Sequence, residues 1–200
     1  MPLNIPRGST DNISFGPARV FMKKWAKYTI GANITPDMTD TDASNDVGFI
    51  GEDGVTVELT SEKKDINQGN PKLVNYSFVM SQSASIKFSS IAWNFENFAL
   101  ALGAGTTTAD SAEETFAFGG NPLNTETAMI VRHQMAVTGD TLFLYVWKAQ
   151  AESGFSIPFG ADEHSFEFSF KAIRAIEDWG GTALGTDEQL IRFKREIYPT

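Results

Sequence analysis

Val55-Thr56-Val57-Glu58-Leu59-Thr60 alternates apolar and polar side chains with period two. Successive side chains of a strand point to opposite faces, so this pattern predicts a half-buried strand with Val55, Val57 and Leu59 inward. Ala84-Ser85-Ile86-Lys87-Phe88-Ser89 repeats it, and His164 to Lys171 shows the strictest alternation in the chain. Glu114–Phe118, Thr127–Met135 and Thr141–Ala149 are rich in β-formers, and Gly139-Asp140 fits a turn between the last two. Leu190–Tyr198 fits either period and is read as a strand. Pro17–Met22 is a short apolar run that also suits a strand.

One segment switches to the helical period. Phe95, Phe98, Ala99 and Leu102 follow i, i+3, i+4, i+7 spacing, predicting a helix over about 91–102. Ser89 or Ser90 is the expected N-cap, and Gly103 is suited to the left-handed residue that ends a helix. Residues 31–54, rich in Thr, Asp, Asn and Gly, read as a long loop. Residues 61–82 read as a second excursion, hairpin-like, polar from Asp65 to Asn70 and then apolar at Val74, Tyr76, Phe78 and Met80.

These elements predict a mainly β single domain over 1–200: two packed β-sheets, as a β-sandwich or small barrel, with one flanking helix and a long inter-strand loop. Residues 1–16 and 182–200 hold few core residues and read as N- and C-terminal arms around a 17–181 core. Arms that order only on assembly place the ordering entropy at that step.

Composition narrows the chemistry. The net charge is −9 and no Lys/Arg run exceeds two, so phosphate polymers and anionic membranes are disfavoured partners. There is no cysteine, which removes disulfides, thiolate metal sites and cysteine nucleophiles. The N-terminus lacks the apolar core of a signal peptide, and no stretch reaches the roughly 18 apolar residues of a membrane-spanning helix. A soluble protein made in a cytoplasm is expected.

Motifs for catalysis are not found: no G-x-S-x-G elbow, no Walker loop, no dinucleotide fingerprint. His133 and His164 share no metal-ligand spacing. Asp40-Thr41-Asp42-Ala43-Ser44-Asn45-Asp46 spaces oxygens as a calcium loop does, but Asn45 and Gly51 stand where Gly and Glu belong, so a solvated loop is the reading. Glu113 and Glu114 are adjacent and would point to opposite faces of a strand, not across a cleft. Among the tryptophans, Trp93 and Trp147 suit core packing, whereas Trp25 and Trp179 could stand exposed at an interface. No catalytic residue, cofactor or metal is expected.

From Ser85 the alternating strand runs directly into Trp93-Asn94-Phe95-Glu96-Asn97-Phe98-Ala99-Leu100-Ala101-Leu102-Gly103. This resembles the strand-then-helix signature of the tail tube proteins of long, non-contractile-tailed bacteriophages. Phe15-Gly16-Pro17-Ala18-Arg19-Val20-Phe21 looks like that family's opening strand. Asp46-Val47-Gly48-Phe49-Ile50 leading into Gly54-Val55-Thr56-Val57 is similar to its glycine turn and following strand. Asp65-Ile66-Asn67 to Gly69-Asn70-Pro71 falls where the family carries its long loop. The likeness covers roughly residues 13–103, and it extends equally to tail terminators and to the inner tubes of contractile tails.

The resemblance implies a virion protein, made in a host bacterial cytoplasm, that forms homohexameric rings stacked into a tube. Its implied partners are further copies of itself, the tape-measure protein and the tail tip or terminator proteins. Double-stranded DNA would pass through the lumen without specific binding. Two residue sets carry the expectation here. Thr56, Glu58, Thr60, Ser85, Lys87 and Ser89 are expected to face the lumen. Asp65, Ile66, Asn67, Gly69, Asn70, Pro71, Val74, Tyr76 and Phe78 are expected to contact a neighbouring subunit or ring, because a loop with that much apolar surface wants a partner. A monomeric carbohydrate-binding or adhesin-like β-sandwich is the alternative, with an enzyme on the same scaffold behind it.

Overall fold

The computed structural model describes residues 18–25, 43–69, 72–120, 124–135, 139–157, 159 and 164–197. The strands are β1 (Ala18–Lys24), β2 (Ile50–Gln68), β3 (Leu73–Ser90), β4 (Thr106–Ala109), β5 (Glu114–Ala117), β6 (Glu126–Gln134), β7 (Thr141–Ala151), β8 (Phe166–Ala172) and β9 (Ile191–Glu196). One α-helix, α1 (Phe95–Leu102), lies between β3 and β4. Seven strands form one antiparallel sheet in the order β1-β6-β7-β8-β3-β2, with β9 beside β7; β4 and β5 form a second, small sheet.

The large sheet divides at β7. Along one edge, β7 pairs with β9 from Thr141 to Val146 and with β8 from Ala149 to Ala151. The result is two layers, β1-β6-β7-β9 and β8-β3-β2. Their inward side chains meet in one cluster that includes Val20, Met129 and Val146 from the first layer and Ile86, Phe168 and Phe170 from the second. Two sheets sharing an apolar interior in this way form a sandwich. Phe88 packs edge-on against Phe168 at 5.5 Å and stacks on Phe170 at 6.1 Å, because these rings belong to cross-strand neighbours on one face.

Helix α1 covers one end of this core. It starts later than the expected residue 91: Asn94, not Ser89 or Ser90, is the N-cap, its Oδ1 accepting the Asn97 N–H at 3.0 Å. Residues before it stay extended, with the Ile91 N–H donated to the Phe49 carbonyl. Gly103 ends the helix at φ 61°, as its position predicts, and its N–H returns to the Leu100 carbonyl. Phe98 is the buried centre of the apolar stripe, 4.9 Å from the Phe166 ring and 5.0 Å from Phe155.

The other face of β1-β6-β7 is covered by the chain between β8 and β9. Ala175, Trp179 and Leu184 pack there on Phe21, Ile130, Phe143 and Trp147. Trp179, expected at an exposed interface, is 9% exposed; its indole N–H donates to the Trp147 carbonyl at 2.9 Å. The Trp147 indole in turn donates to the Glu188 carbonyl at 2.8 Å. The strand expected within 190–198 is β9, paired with β7. The expected N-terminal arm, residues 1–16, lies outside the described residues.

Candidate assembly surface

β2 and β3 are 19 and 18 residues long, about three times an ordinary strand. Only their lower part belongs to the core. β8 pairs with β3 from Ser90 to Ser85 and stops. Beyond that point the hairpin has no described strand beside β3 and no described layer over it, and every described residue from Leu59 to Gln82 is exposed. Leu59, expected inward, is therefore 58% exposed: its alternation is right, but the opposing layer has ended. The stretch expected as a hairpin-like loop over Asp65–Gln82, with its returning limb partly strand, is strand on both limbs, which pair up to Gln68 and Leu73. Paired backbone groups satisfy each other along the two limbs, so a long excursion is stable as a ribbon where an irregular loop would leave them to water.

The hairpin carries Ile66, Leu73, Val74, Tyr76, Val79 and Met80 in the open, each 48% or more exposed. Phe78 is 38% exposed. Asp65 lies opposite Ser77, Ile66 opposite Tyr76 and Asn67 opposite Val74, with register shifts between Glu62 and Lys63 and between Ile66 and Asn67. Gly69, at φ 95°, opens the turn; Asn70 and Pro71 lie outside the described residues.

No protein-family model and no curated protein matches the chain.

Below the hairpin, the second candidate set gathers on one face. Thr56 is the cross-strand partner of Lys87, Glu58 of Ser85, and Thr60 of Ser83. β8 extends these rows: Lys171 lies beside Ser85, Ser169 beside Lys87 and Glu167 beside Ser89. Glu167, Ser169 and Lys171 were missed by residue pattern alone, although the strict alternation of β8 marks them as the polar side of their strand. Directly opposed partners share a face, so the layer has an apolar back against the core and a front of hydroxyls with interspersed charges. Ser89 departs from the other five. It is 8% exposed, lying under Gly51, where an added Cβ would meet its side chain. A cavity of about 720 Å³ opens on this face, bordered by Thr56, Lys87, Ser169 and the 153–156 turn.

Titration chemistry is weak here. Among the described residues no group of three or more His, Asp or Glu could hold a metal ion. Asp46, the described end of the acidic stretch 40–46, is paired with Arg19 and accepts the Gly48 N–H at 3.0 Å. His133 lies between Ala18 and Leu142 in the sheet, and the His164 ring packs on Trp93 at 5.7 Å. No described helix is long and apolar enough to cross a membrane.

Proposed function

We propose that the protein is a structural subunit of a phage tail tube, polymerising as stacked homohexameric rings whose lumen conducts double-stranded DNA without specific binding. The observation that carries this reading is the two-stranded hairpin standing clear of the core with eight large apolar side chains in the open. Unpartnered apolar surface of that extent marks an interaction site. A lone hairpin is also marginal in water, so an extended one gains most from a second chain.

Two features support the same reading. β2 ends the sheet order, leaving its outer edge unpaired among the described strands, as β9 leaves its own. Open edges invite pairing between chains, and a closed ring removes them. The polar front of β2-β3-β8 suits a water-filled channel, with hydroxyls from Thr56, Thr60, Ser85 and Ser169 among alternating carboxylates and ammonium groups. A subunit of net charge −9 discourages DNA phosphates from adhering as they pass. In this role the chain is not an enzyme, takes no cofactor, resides in the virion and meets the tape-measure and tail tip or terminator proteins at the ends of the tube.

Negative-stain electron microscopy of the purified protein tests the reading. Rings or hollow filaments are expected. A compact monomer at every concentration overturns it.

A glycan-binding module is the second reading, favoured by one observation. Trp93 and Phe159 are 48% and 83% exposed, with ring centroids 5.9 Å apart. Binding of an immobilised oligosaccharide by the monomer, lost in Trp93→Ala, would establish it.

A further inference from the structure

We infer that the tip of the β2–β3 hairpin docks into a slot between the two sheet layers of a second copy, joining subunits head to tail. The inference rests on the assembly reading above and names the surface that receives the hairpin.

The slot is a cavity of about 410 Å³ where the sandwich is not closed. Val55 and Val57 of β2 form one wall; Val131, Leu144 and Phe193 form the other. Phe193 belongs to the edge strand β9 and is 51% exposed, so among the described residues no side chain fills this end. Its apolar walls, with Glu52, Asp53 and His133 also in the lining, suit apolar anchors that carry polar or charged neighbours.

The tip presents such anchors on one face. Ile66 and Tyr76 are cross-strand partners, and so are Lys64 and Phe78, two residues along. Alternation along β2 therefore puts Ile66, Tyr76 and Phe78 together. They reach that face because of the register shift between Glu62 and Lys63, where β3 carries one extra residue. Without it, Tyr76 and Phe78 would sit on the side opposite Ile66, since a slip of one residue exchanges the faces.

Charge favours the same match. Beyond Glu62 the described tip carries Lys63, Lys64 and Lys72 against Asp65, three positive charges to one negative, in a chain whose net charge is −9. The slot has Glu52 and Asp53 at its border. Opposed charges of this kind steer the encounter and fix its register.

Direction follows from β2 itself. Slot and tip lie at opposite ends of one strand, with Val57 and Ile66 roughly 30 Å apart at about 3.3 Å per residue. A stiff paired ribbon cannot return its tip to its own slot. Tip and slot are different patches, so where the contact is not reciprocated between two copies it is heterologous, and its repetition propagates.

The cysteine-free sequence makes the test direct. Tyr76→Cys and Phe193→Cys chains, both altered at exposed positions, are oxidised separately and as a mixture, then resolved on a non-reducing gel. A disulfide-linked dimer is expected in the mixture and lost in either chain alone. Dimers from Tyr76→Cys alone overturn the inference in favour of tip-to-tip pairing. No dimer in the mixture, with wild type still polymerising, overturns the docking and leaves the assembly reading standing. Ala18 borders the slot, so the chain's own first residues are the competing occupant. A dimer seen only after deletion of residues 2–17 would assign the slot to them and overturn the inference too. Wild type that stays monomeric in the microscope overturns both readings.

Discussion

Asp140 and Arg195 are held together at 2.7 Å, the guanidinium of the last strand reaching a carboxylate that is 3% exposed in the turn between β6 and β7. Nε of Arg195 donates to the same Oδ2 at 2.8 Å. A two-pronged pair of this kind adds to the backbone bonds that hold β9 against β7. Removing the arginine leaves the carboxylate without this guanidinium in a site closed to water. Arg195→Ala is expected to destabilise the fold by about 2–4 kcal/mol, read by urea denaturation, because breaking a buried pair from one side leaves its desolvation uncompensated. An unchanged midpoint would show that β9 adds nothing to the isolated subunit.

Thr127 makes the opposite case. Its hydroxyl is buried with no hydrogen-bond partner among the described residues, next to the register shift between Thr127 and Met129. Thr127→Val replaces the orphan oxygen with a methyl group of similar shape. A gain of about 1 kcal/mol is expected in the same assay. A loss would mean that the hydroxyl has a partner, such as an internal water.

Deleting Ile66–Lys72 removes the tip and little of the core. The shortened chain is expected to melt within about 1 kcal/mol of wild type, since exposed residues contribute little to the isolated fold. Under the proposed assembly, sedimentation velocity is expected to find it monomeric at concentrations where wild type forms polymers. Normal tubes from this deletion would remove the hairpin from the assembly contact.

Glu58 tests the polar front. It projects beside Ser85, away from Val57 and the core, so Glu58→Lys is expected to leave folding intact. In the proposed ring, reversing this charge would draw phosphate toward the lumen wall, and slower DNA release from reconstituted particles is expected. An unchanged release rate would move the lumen to another face.

Asp110 gives a pH dependence. Its carboxylate accepts the Ala112 N–H at 2.7 Å and the Glu113 N–H at 3.0 Å, and these bonds hold its pKa below the ordinary 3.8. A depressed native pKa means that the contribution is present above 3.8 and fades as pH falls through the lower native value. The β4–β5 turn is therefore expected to loosen only in strong acid, with the Asp110 carboxyl titrating below 3.8 by NMR.

Much of the fold was legible in the sequence because the relevant signals are local. The period-two pattern of Phe166–Ala172 gives its burial directly, with Phe166, Phe168 and Phe170 inside and Glu167 and Lys171 out. Gly103 marks the helix end because only a residue without Cβ adopts its backbone angle freely. The polar front of β2 and β3 was legible for the same reason, since alternation alone assigns Thr56, Glu58, Ser85 and Lys87 to one side.

What the tertiary structure decided is where each pattern meets another layer. Leu59 continues the alternation of Val55 and Val57, yet it is exposed because no described strand of the opposing layer covers it, and nothing in residues 55–60 records where that layer ends. Trp179 looked exposed among glycines, but a carbonyl of β7 and the ring of Trp147 lie within its reach. Apolar residues from 73 to 80 announced a surface needing a partner; only the pairing register, set by one extra residue in β3, brought Ile66, Tyr76 and Phe78 to a common face. Side-chain period is a property of the chain, whereas burial is a property of what packs against it, and that depends on contacts far apart in sequence.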